Sequence, residues 1–199
     1  FGFISSTTFS HLAGCEHEYD PFTRGWIPKV NSKLETSKKG IFVAGDCNGI
    51  GGVKKAVIEG KLAANEVASQ LGVISTKESR KGFSHLRKKI LRIQWYQKFL
   101  KEIYAFRPGL NTLLNPDTII CRCEEIDCKT ILKTIEEGVT DINQIKRQTR
   151  MGMGRCQGRF CFPTLLGLLA NRVSPEEISK KDISVRPPAK PIPLKKIVQ

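Results

Sequence analysis

Four cysteines constrain this chain more than any other feature. Cys121 and Cys123 stand in ICRCEE, and Cys156 and Cys161 in GRCQGRFC. A C-x-C pair and a C-x4-C pair are thus separated by 32 residues. Thiolates at that density point to a soft metal site. In an extended C-x-C step both side chains leave the same side of the backbone, which lets one iron take both sulfurs of the first pair. The second pair lies among Gly152, Gly154 and Gly158, where backbone approaches a cluster closely. The stretch between the pairs reads as helical and brings them back together. Such a set favours a 2Fe–2S cluster, for which ligation by four cysteines is the common arrangement. A structural zinc on the same thiolates is the next reading, although zinc knuckles usually use C-x2-4-C spacing. Two disulfides or plain free thiols complete the alternatives. Cys15, Cys47 and Cys128 have no partner by spacing and read as small buried or surface thiols.

Charge invites a different reading, which its distribution opposes. The chain of 199 residues carries a net charge of +14. Residues 77–107 hold ten Lys/Arg against two Glu, a net of +8, whereas residues 118–172 hold nine against six acids, a net of +3. An oxidised 2Fe–2S cluster with four thiolates carries about −2, so the cysteine region is nearly neutral once loaded. Arg122, Arg155 and Arg159 lie beside the ligands in sequence, either offsetting the cluster's charge or simply solvated. A nucleic-acid partner is therefore not expected. No apolar run reaches the length of a membrane span. The chain opens on Phe1 in mid-pattern, without a signal-peptide pattern, and reads as the back part of a longer protein. Seven cysteines that include a metal-type set suit a reducing compartment, most simply the cytoplasm.

In chain order, residues 1–40 read as irregular, with a short edge strand over 25–30 limited by Pro28. His11 and His17 read as surface or packing residues. Ile41-Phe42-Val43-Ala44 is a continuous apolar run, the mark of a strand buried on both faces. Gly45-Asp46 ends it, and the glycine-rich turn Gly49-Ile50-Gly51-Gly52 follows. Val53, Ala56, Val57, Gly60, Ala63, Ala64 and Val67 then recur at helical spacing and predict a helix with that face inward. Strand, glycine turn and helix start make an anion site from free backbone N–H groups. Residues 75–82 read as polar and mobile. One helix is predicted over 84–106, stopped by Pro108-Gly109. Leu86, Ile90, Ile93, Leu100 and Tyr104 share one face of it, and Leu91, Trp95, Phe99 and Phe106 the opposite one. A helix with two apolar faces lies between two bodies. Asp127 caps a helix through Glu137, Asp141 one to Arg150, and Ser174-Pro175-Glu176-Glu177 a last short one. A further helix over 164–171 follows Cys161, its start turned toward the thiolates. The tail RPPAKPIPLKK reads as an extended strap.

DTIICRCEE with GVTDINQIKRQTRMGMGRCQGRFC resembles the bacterioferritin-associated-ferredoxin (BFD) type of 2Fe–2S domain. It resembles most the copy at the C-terminus of FAD-dependent oxidoreductases such as the large subunits of opine, proline and hydroxyproline dehydrogenases and hydrogen cyanide synthase. The proline-rich tail is similar to the tails of the same family. The strand, Gly-Asp, glycine turn and helix of residues 41–67 also resemble the last FAD-contacting element of the pyridine-nucleotide-disulfide oxidoreductase superfamily. That resemblance implies FAD contacts at Gly45, Asp46, Gly51, Gly52 and Val53, with Asp46 bonded to the ribityl-phosphate part. An ordinary turn capped by Asp46 is the plainer alternative. The superfamily's N-terminal G-x-G-x-x-G is missing here.

The fold class expected is an α/β piece of an FAD domain of that superfamily, followed by a small, mainly helical BFD-like 2Fe–2S domain. The divisions are 1–72 for the FAD-domain piece, 73–117 for a connector with a long basic amphipathic helix, 118–172 for the cluster domain and 173–199 for a short helix and tail. By resemblance the parent is one component of a dehydrogenase, passing electrons between FAD and the cluster during oxidation of an amino acid, opine or similar amine. The resemblance also implies, as partner, a second flavoprotein subunit that oxidises the substrate. The fragment alone is expected to be inactive, and no residue in it reads as a general base or nucleophile. A stand-alone iron–sulfur carrier or assembly module, and a zinc-stabilised basic binding module, are the readings from other classes.

Overall fold

The structure is a computed structural model that describes residues 3–105, 107–180, 182–189, 192, 193 and 195. The chain divides into two compact units, Phe1–Glu18 with Trp26–Ala105 and Tyr19–Gly25 with Phe106–Gln199. Of the tail, the residues outside the described ones include Lys190, Pro191 and Leu194, so the strap expected there is followed only in part.

The first unit is built on two helices. A short helix, α1 (Thr8–Leu12), opens the chain. Strands β1 (His17–Asp20) and β2 (Gly25–Pro28) form a two-stranded sheet. The expected edge strand is therefore present and stops at Pro28. Residues 3–40 are more ordered than expected: Cys15 is buried, its Sγ donating to Thr36 Oγ1 at 3.3 Å, and His17 Nε2 shares a hydrogen bond of 2.8 Å with Ser10 Oγ.

The apolar run at 41–44 is extended, but among the described residues it is no central strand of a sheet. It pairs only with 34–36, through Thr36 N–H to Ile41 O at 2.8 Å and Val43 N–H to Leu34 O at 3.0 Å. A turn over Asp46–Asn48 leads to α2 (Gly52–Gln70). Helix α3 (Thr76–Ile103) packs against α2. Leu34, Leu62, Ala63 and Ile90 form the core between them, with Val30, Phe42, Phe83 and Leu86 against it.

Two expectations for these helices need correction. Helix α3 begins at Thr76, not Ser84, because Ser75 and Glu78 form a capping box: the Ser75 hydroxyl accepts from Glu78 N–H at 3.3 Å, and the Glu78 carboxylate accepts from Ser75 N–H at 3.0 Å. Of residues 75–82, expected to be mobile, Ser75 is thus the cap and 76–82 the first turns of a helix of 28 residues. On α2 the expected inward stripe turns outward at Val53, 79% exposed, Val57, 50% exposed, and at Gly60 and Ala64. The buried face carries Lys55, Glu59, Leu62, Ala63 and Glu66. Its polar members have partners, and that is why burial suits them: Glu66 accepts from Lys33 Nζ at 2.9 Å, and Lys55 pairs with Glu59 at 3.2 Å. On α3, Ile90 is buried while Leu91, Trp95 and Phe99 are exposed. Phe106 lies outside the described residues.

The second unit is a small helical body. Strands β3 (Ile119–Cys121) and β4 (Ile126–Asp127) pair antiparallel. Then come α4 (Cys128–Glu136), α5 (Ile142–Thr149), α6 (Phe162–Leu169) and α7 (Pro175–Ser179). The predicted caps are all present. Asp127 Oδ1 accepts from Thr130 N–H, and Asp141 Oδ1 from Gln144 N–H, each at 2.9 Å. Ser174 and Glu177 make a second capping box. These caps are local bonds between a side chain and a backbone group two or three residues on, so the sequence alone specifies them. Helix α6 starts at Phe162, two residues before the predicted Thr164. Helix α4 packs on α5 and α6, burying Ile131, Ile135, Ile142, Ile145, Leu165 and Leu169.

Candidate metal and flavin sites

The cysteine loop is assembled from both ends of the second unit. Cys121 ends β3 and is buried, whereas Cys123 falls in the turn before β4 and is exposed. The pair is therefore not the fully extended step from which a common side was expected. Cys156 is half-buried in the loop after α5, and Cys161 is buried as the residue that begins α6. The fold nevertheless brings Cys121 and Cys156 close to Cys161, near enough for both to act on its thiol. Cys123 lies against Gly154, where an added Cβ would sit 2.2 Å from Cys123 Cβ. Burial first, and then the neighbouring sulfurs Cys121 and Cys156, push the Cys161 thiol well above the ordinary thiol range.

Glycines make this approach possible. Gly152 and Gly158 have φ of +79° and +80°, and a Cβ on either would meet the Phe162 ring, at 2.6 Å and 2.0 Å respectively. The ring of Phe162 thus fills the space that two side chains would need. A series of turns closes the loop: Met153 N–H to Arg150 O at 3.0 Å, Gln157 N–H to Gly154 O at 2.8 Å and Phe162 N–H to Gly158 O at 3.0 Å. Gln157 Nε2 adds bonds to Met153 O and Gly154 O, and Arg150 Nε donates to Glu124 Oε2 at 2.9 Å. This last pair ties the first cysteine turn to the second cysteine loop. Sequence reasoning missed it, since nothing in the spacing of residues 124 and 150 marks it. Arg122, Arg155 and Arg159 are exposed, which matches the plainer of their two readings. Arg155, Arg159 and Arg186 line a cavity of about 320 Å³ beside Cys156. Four thiols in glycine-made space are a donor set suited to iron or zinc. Cys128 is buried at the start of α4, and Cys47 Sγ donates to Ala44 O at 3.1 Å, so neither stands free for a metal role.

The second candidate site is the loop between residue 44 and α2. Gly45 has φ +84° and ψ −152°, a region open only to glycine. Asp46 is exposed, its Oδ1 accepting a long bond of 3.5 Å from Gly51 N–H. No side chain caps α2, and Gly52, Val53 and Lys54 are all exposed at its start. The structure therefore gathers Gly45, Asp46, Gly51, Gly52 and Val53 in one loop with open amides, a form that suits an anionic ligand. Lys55 and Glu59 support that loop from below. They carry no apolar signal, and the count of hydrophobic positions passed over them.

Comparison with known proteins bears on the cysteine region and on the chain as a whole. Residues 119–171 match the BFD-like [2Fe-2S] binding domain, which holds all four cysteines. The whole chain is 34% identical over 200 residues to an opine oxidase subunit of Rhizobium meliloti, of which it covers 38%. Hydrogen cyanide synthase subunit HcnB of Pseudomonas protegens is 31% identical over 97% of the chain and 40% of its own length. The crystal structure of L-proline dehydrogenase from P.horikoshii shares the fold, with a TM-score of 0.71 over the entire chain and 38% of the matched one, at 23% identity. Residues 119–171 thus match a BFD-like [2Fe-2S] binding domain, and the chain as a whole is similar to part of an opine oxidase subunit and part of a hydrogen cyanide synthase subunit. It spans about two fifths of the length of the curated relatives it matches.

Proposed function

We propose that this chain is the C-terminal part of the FAD-containing subunit of a dehydrogenase, with a 2Fe–2S cluster held by Cys121, Cys123, Cys156 and Cys161. The observation that carries the reading is the nearness of Cys121 and Cys156 to Cys161, with Cys123 against Gly154, inside residues 119–171, the stretch that matches a [2Fe-2S] binding domain. Such a cluster supplies one-electron transfer when bound, and a flavin supplies two-electron chemistry. Cys121 and Cys161 would hold the buried side of the cluster, and Cys156 and Cys123 its exposed side. The N–H groups at the start of α6 would favour negative charge on the sulfurs.

Residues 1–72 are read as the last piece of an FAD domain of the pyridine-nucleotide-disulfide-oxidoreductase type, in which Asp46 accepts a hydrogen bond from a flavin hydroxyl. Gly52 and Val53 offer backbone N–H groups to a phosphate, Gly51 ties the loop to Asp46 through its own N–H, and Gly45 gives the chain its sharp turn. Residues 73–117 connect this piece to the cluster domain at 118–172, with 173–199 as its tail. The parent would oxidise an amino acid, opine or similar amine together with a second flavoprotein subunit; two of the similar proteins are themselves subunits by name. Seven free cysteines suit the cytoplasm. Among the described residues no helix is long and apolar enough to cross a membrane.

The direct test is metal and sulfide analysis of protein purified anaerobically without chelator. About two irons and two sulfides per chain are expected, with the visible spectrum of a 2Fe–2S centre. Cys161→Ser and Cys121→Ser should each lose most of that iron. Zinc in place of iron in the wild type would sink the reading and favour a structural metal site.

A further inference from the structure

We propose that Lys55 and Glu59 are positioning residues for the flavin loop: a buried ion pair on α2 that sets the backbone of residues 45–49 and so holds Asp46 and the open start of α2 in their binding geometry. The inference rests on the flavin reading of that loop.

The pair lies side by side, one helical turn apart, with Lys55 Nζ 3.2 Å from Glu59 Oε1 and side chains only 8% and 2% exposed. Nearly all of its remaining bonding capacity goes to one short segment. Glu59 Oε2 accepts from Gly45 N–H at 2.8 Å, and Glu59 Oε1 from Asn48 Nδ2 at 3.2 Å. Lys55 Nζ donates to Asn48 O at 2.9 Å and to Gly49 O at 2.6 Å. Asp46 and Cys47 therefore lie between backbone groups that are tied, on both sides, to the same helix turn. The far end of the loop has its own tie, from Gln97 Nε2 of α3 to Gly51 O at 2.6 Å.

Stability alone does not account for such a pair. Buried ion pairs are often replaced by apolar residues with little or no loss of stability. What an apolar pair lacks is direction. Gly45 stands at φ +84° and ψ −152° and needs an acceptor for its buried N–H. The carbonyls of Asn48 and Gly49 need a donor below the loop, or they would compete for water at its mouth. The pair meets both needs, and being neutral overall it adds no net charge beneath an anion site. Asp46, held only by the long bond from Gly51 N–H, and the start of α2 at Gly52 and Val53 are thereby left exposed on the outer side.

The test uses the full-length protein stripped of flavin. FAD affinity is read by flavin fluorescence titration, the bound flavin's environment by visible circular dichroism, and folding by thermal melting of the apoprotein. The variants are Asp46→Ala, Glu59→Gln, Glu59→Asp, the apolar pair Lys55→Met/Glu59→Leu, and the double variant Asp46→Ala/Glu59→Gln. The apolar pair should melt below the wild type, because the Gly45 N–H and the Asn48 and Gly49 carbonyls lose their partners, and while still folded should bind FAD roughly tenfold more weakly or worse, the size expected for loss of a well-placed charged hydrogen bond. Glu59→Gln and Glu59→Asp should weaken FAD and alter its dichroism. The double variant should lose less than the product of its two single losses, because Glu59 acts through the loop that carries Asp46. Should Asp46→Ala weaken FAD while the apolar pair and Glu59→Asp bind it normally, the positioning role is wrong and the flavin reading stands. Unchanged affinity in Asp46→Ala removes Asp46 from the flavin site, and with it the role of the pair in positioning Asp46. If the apolar pair does not fold, Glu59→Asp, which keeps the charge and shortens its reach, decides by the same readouts.

Discussion

The two candidate sites give opposite solutions to one problem, how to fix an irregular backbone so that it faces an anionic cofactor. In the loop of residues 45–52 the backbone is held by side chains that reach into it. Lys55, Glu59 and Gln97 bond Gly45, Asn48, Gly49 and Gly51. In the loop of residues 150–161 the backbone is held mainly by its own turns, and close approach comes from missing side chains at three glycines, against Gly51 alone in the first loop, where a Cβ would meet the flexible Lys55 and Gln97 side chains. Gly152 and Gly158 admit the Phe162 ring, and Gly154 admits Cys123. A loop held by bonds can absorb a small steric insult by letting a bond lengthen. A loop held by packing cannot, because close-packed interiors transmit strain.

The largest effect expected from this contrast is at Gly158. A Cβ there would fall 2.0 Å from the Phe162 ring in a backbone with φ +80°. Gly158→Ala should cost about 3 kcal/mol, from overpacking together with left-handed strain. Iron content after anaerobic purification and the melting temperature would both report it. The matching change in the other loop is Gly45→Ala. Its Cβ would be 3.4 Å from Ala56 Cβ, an ordinary contact, so only the backbone conformation is penalised, by about 2 kcal/mol. A larger loss at Gly45 than at Gly158 would reverse the comparison. Gly60 sharpens it from a third direction. It lies inside α2 with no neighbour within 4 Å of an added Cβ. Gly60→Ala should raise stability by about 0.5–1 kcal/mol, measured by denaturant unfolding of this chain.

What the sequence made legible follows the same division. The cysteine spacing and the caps at Asp127, Asp141 and Ser174 were readable because each is a local matter of residue type and interval. The first unit was harder. The outward turn of Val53 and Val57 was missed because periodicity counts apolar residues, and the buried side of α2 is partly charged. Lys55 and Glu59 become fit for burial only through partners in the loop before the helix, and hydrophobic counting does not see those. The start of α3 was legible in principle, since Ser75-Thr76-Lys77-Glu78 has the capping-box spacing. Its polar composition concealed it. The Arg150–Glu124 pair was out of reach, being set by the meeting of two loops 26 residues apart.

The smallest effect concerns charge around the cluster. Arg155 and Arg159 flank Cys156 on the exposed side of the loop. A cation near the sulfurs favours the reduced, more negative state of a 2Fe–2S centre, so neutralising it lowers the reduction potential. For a one-electron couple, about 1 kcal/mol corresponds to about 40 mV. Both arginines reach into water, where screening reduces their influence. Arg155→Gln and Arg159→Gln should therefore each lower the potential by less than about 40 mV, and the shift should shrink as salt is added. A redox titration followed by EPR measures this. Equal shifts at low and high salt would mean that the side chains lie against the cluster out of solvent, contrary to their exposure here. No shift at either salt, with iron content intact, would leave both arginines as solvated residues and make the packing of the loop, rather than its charge, the feature that tunes the site.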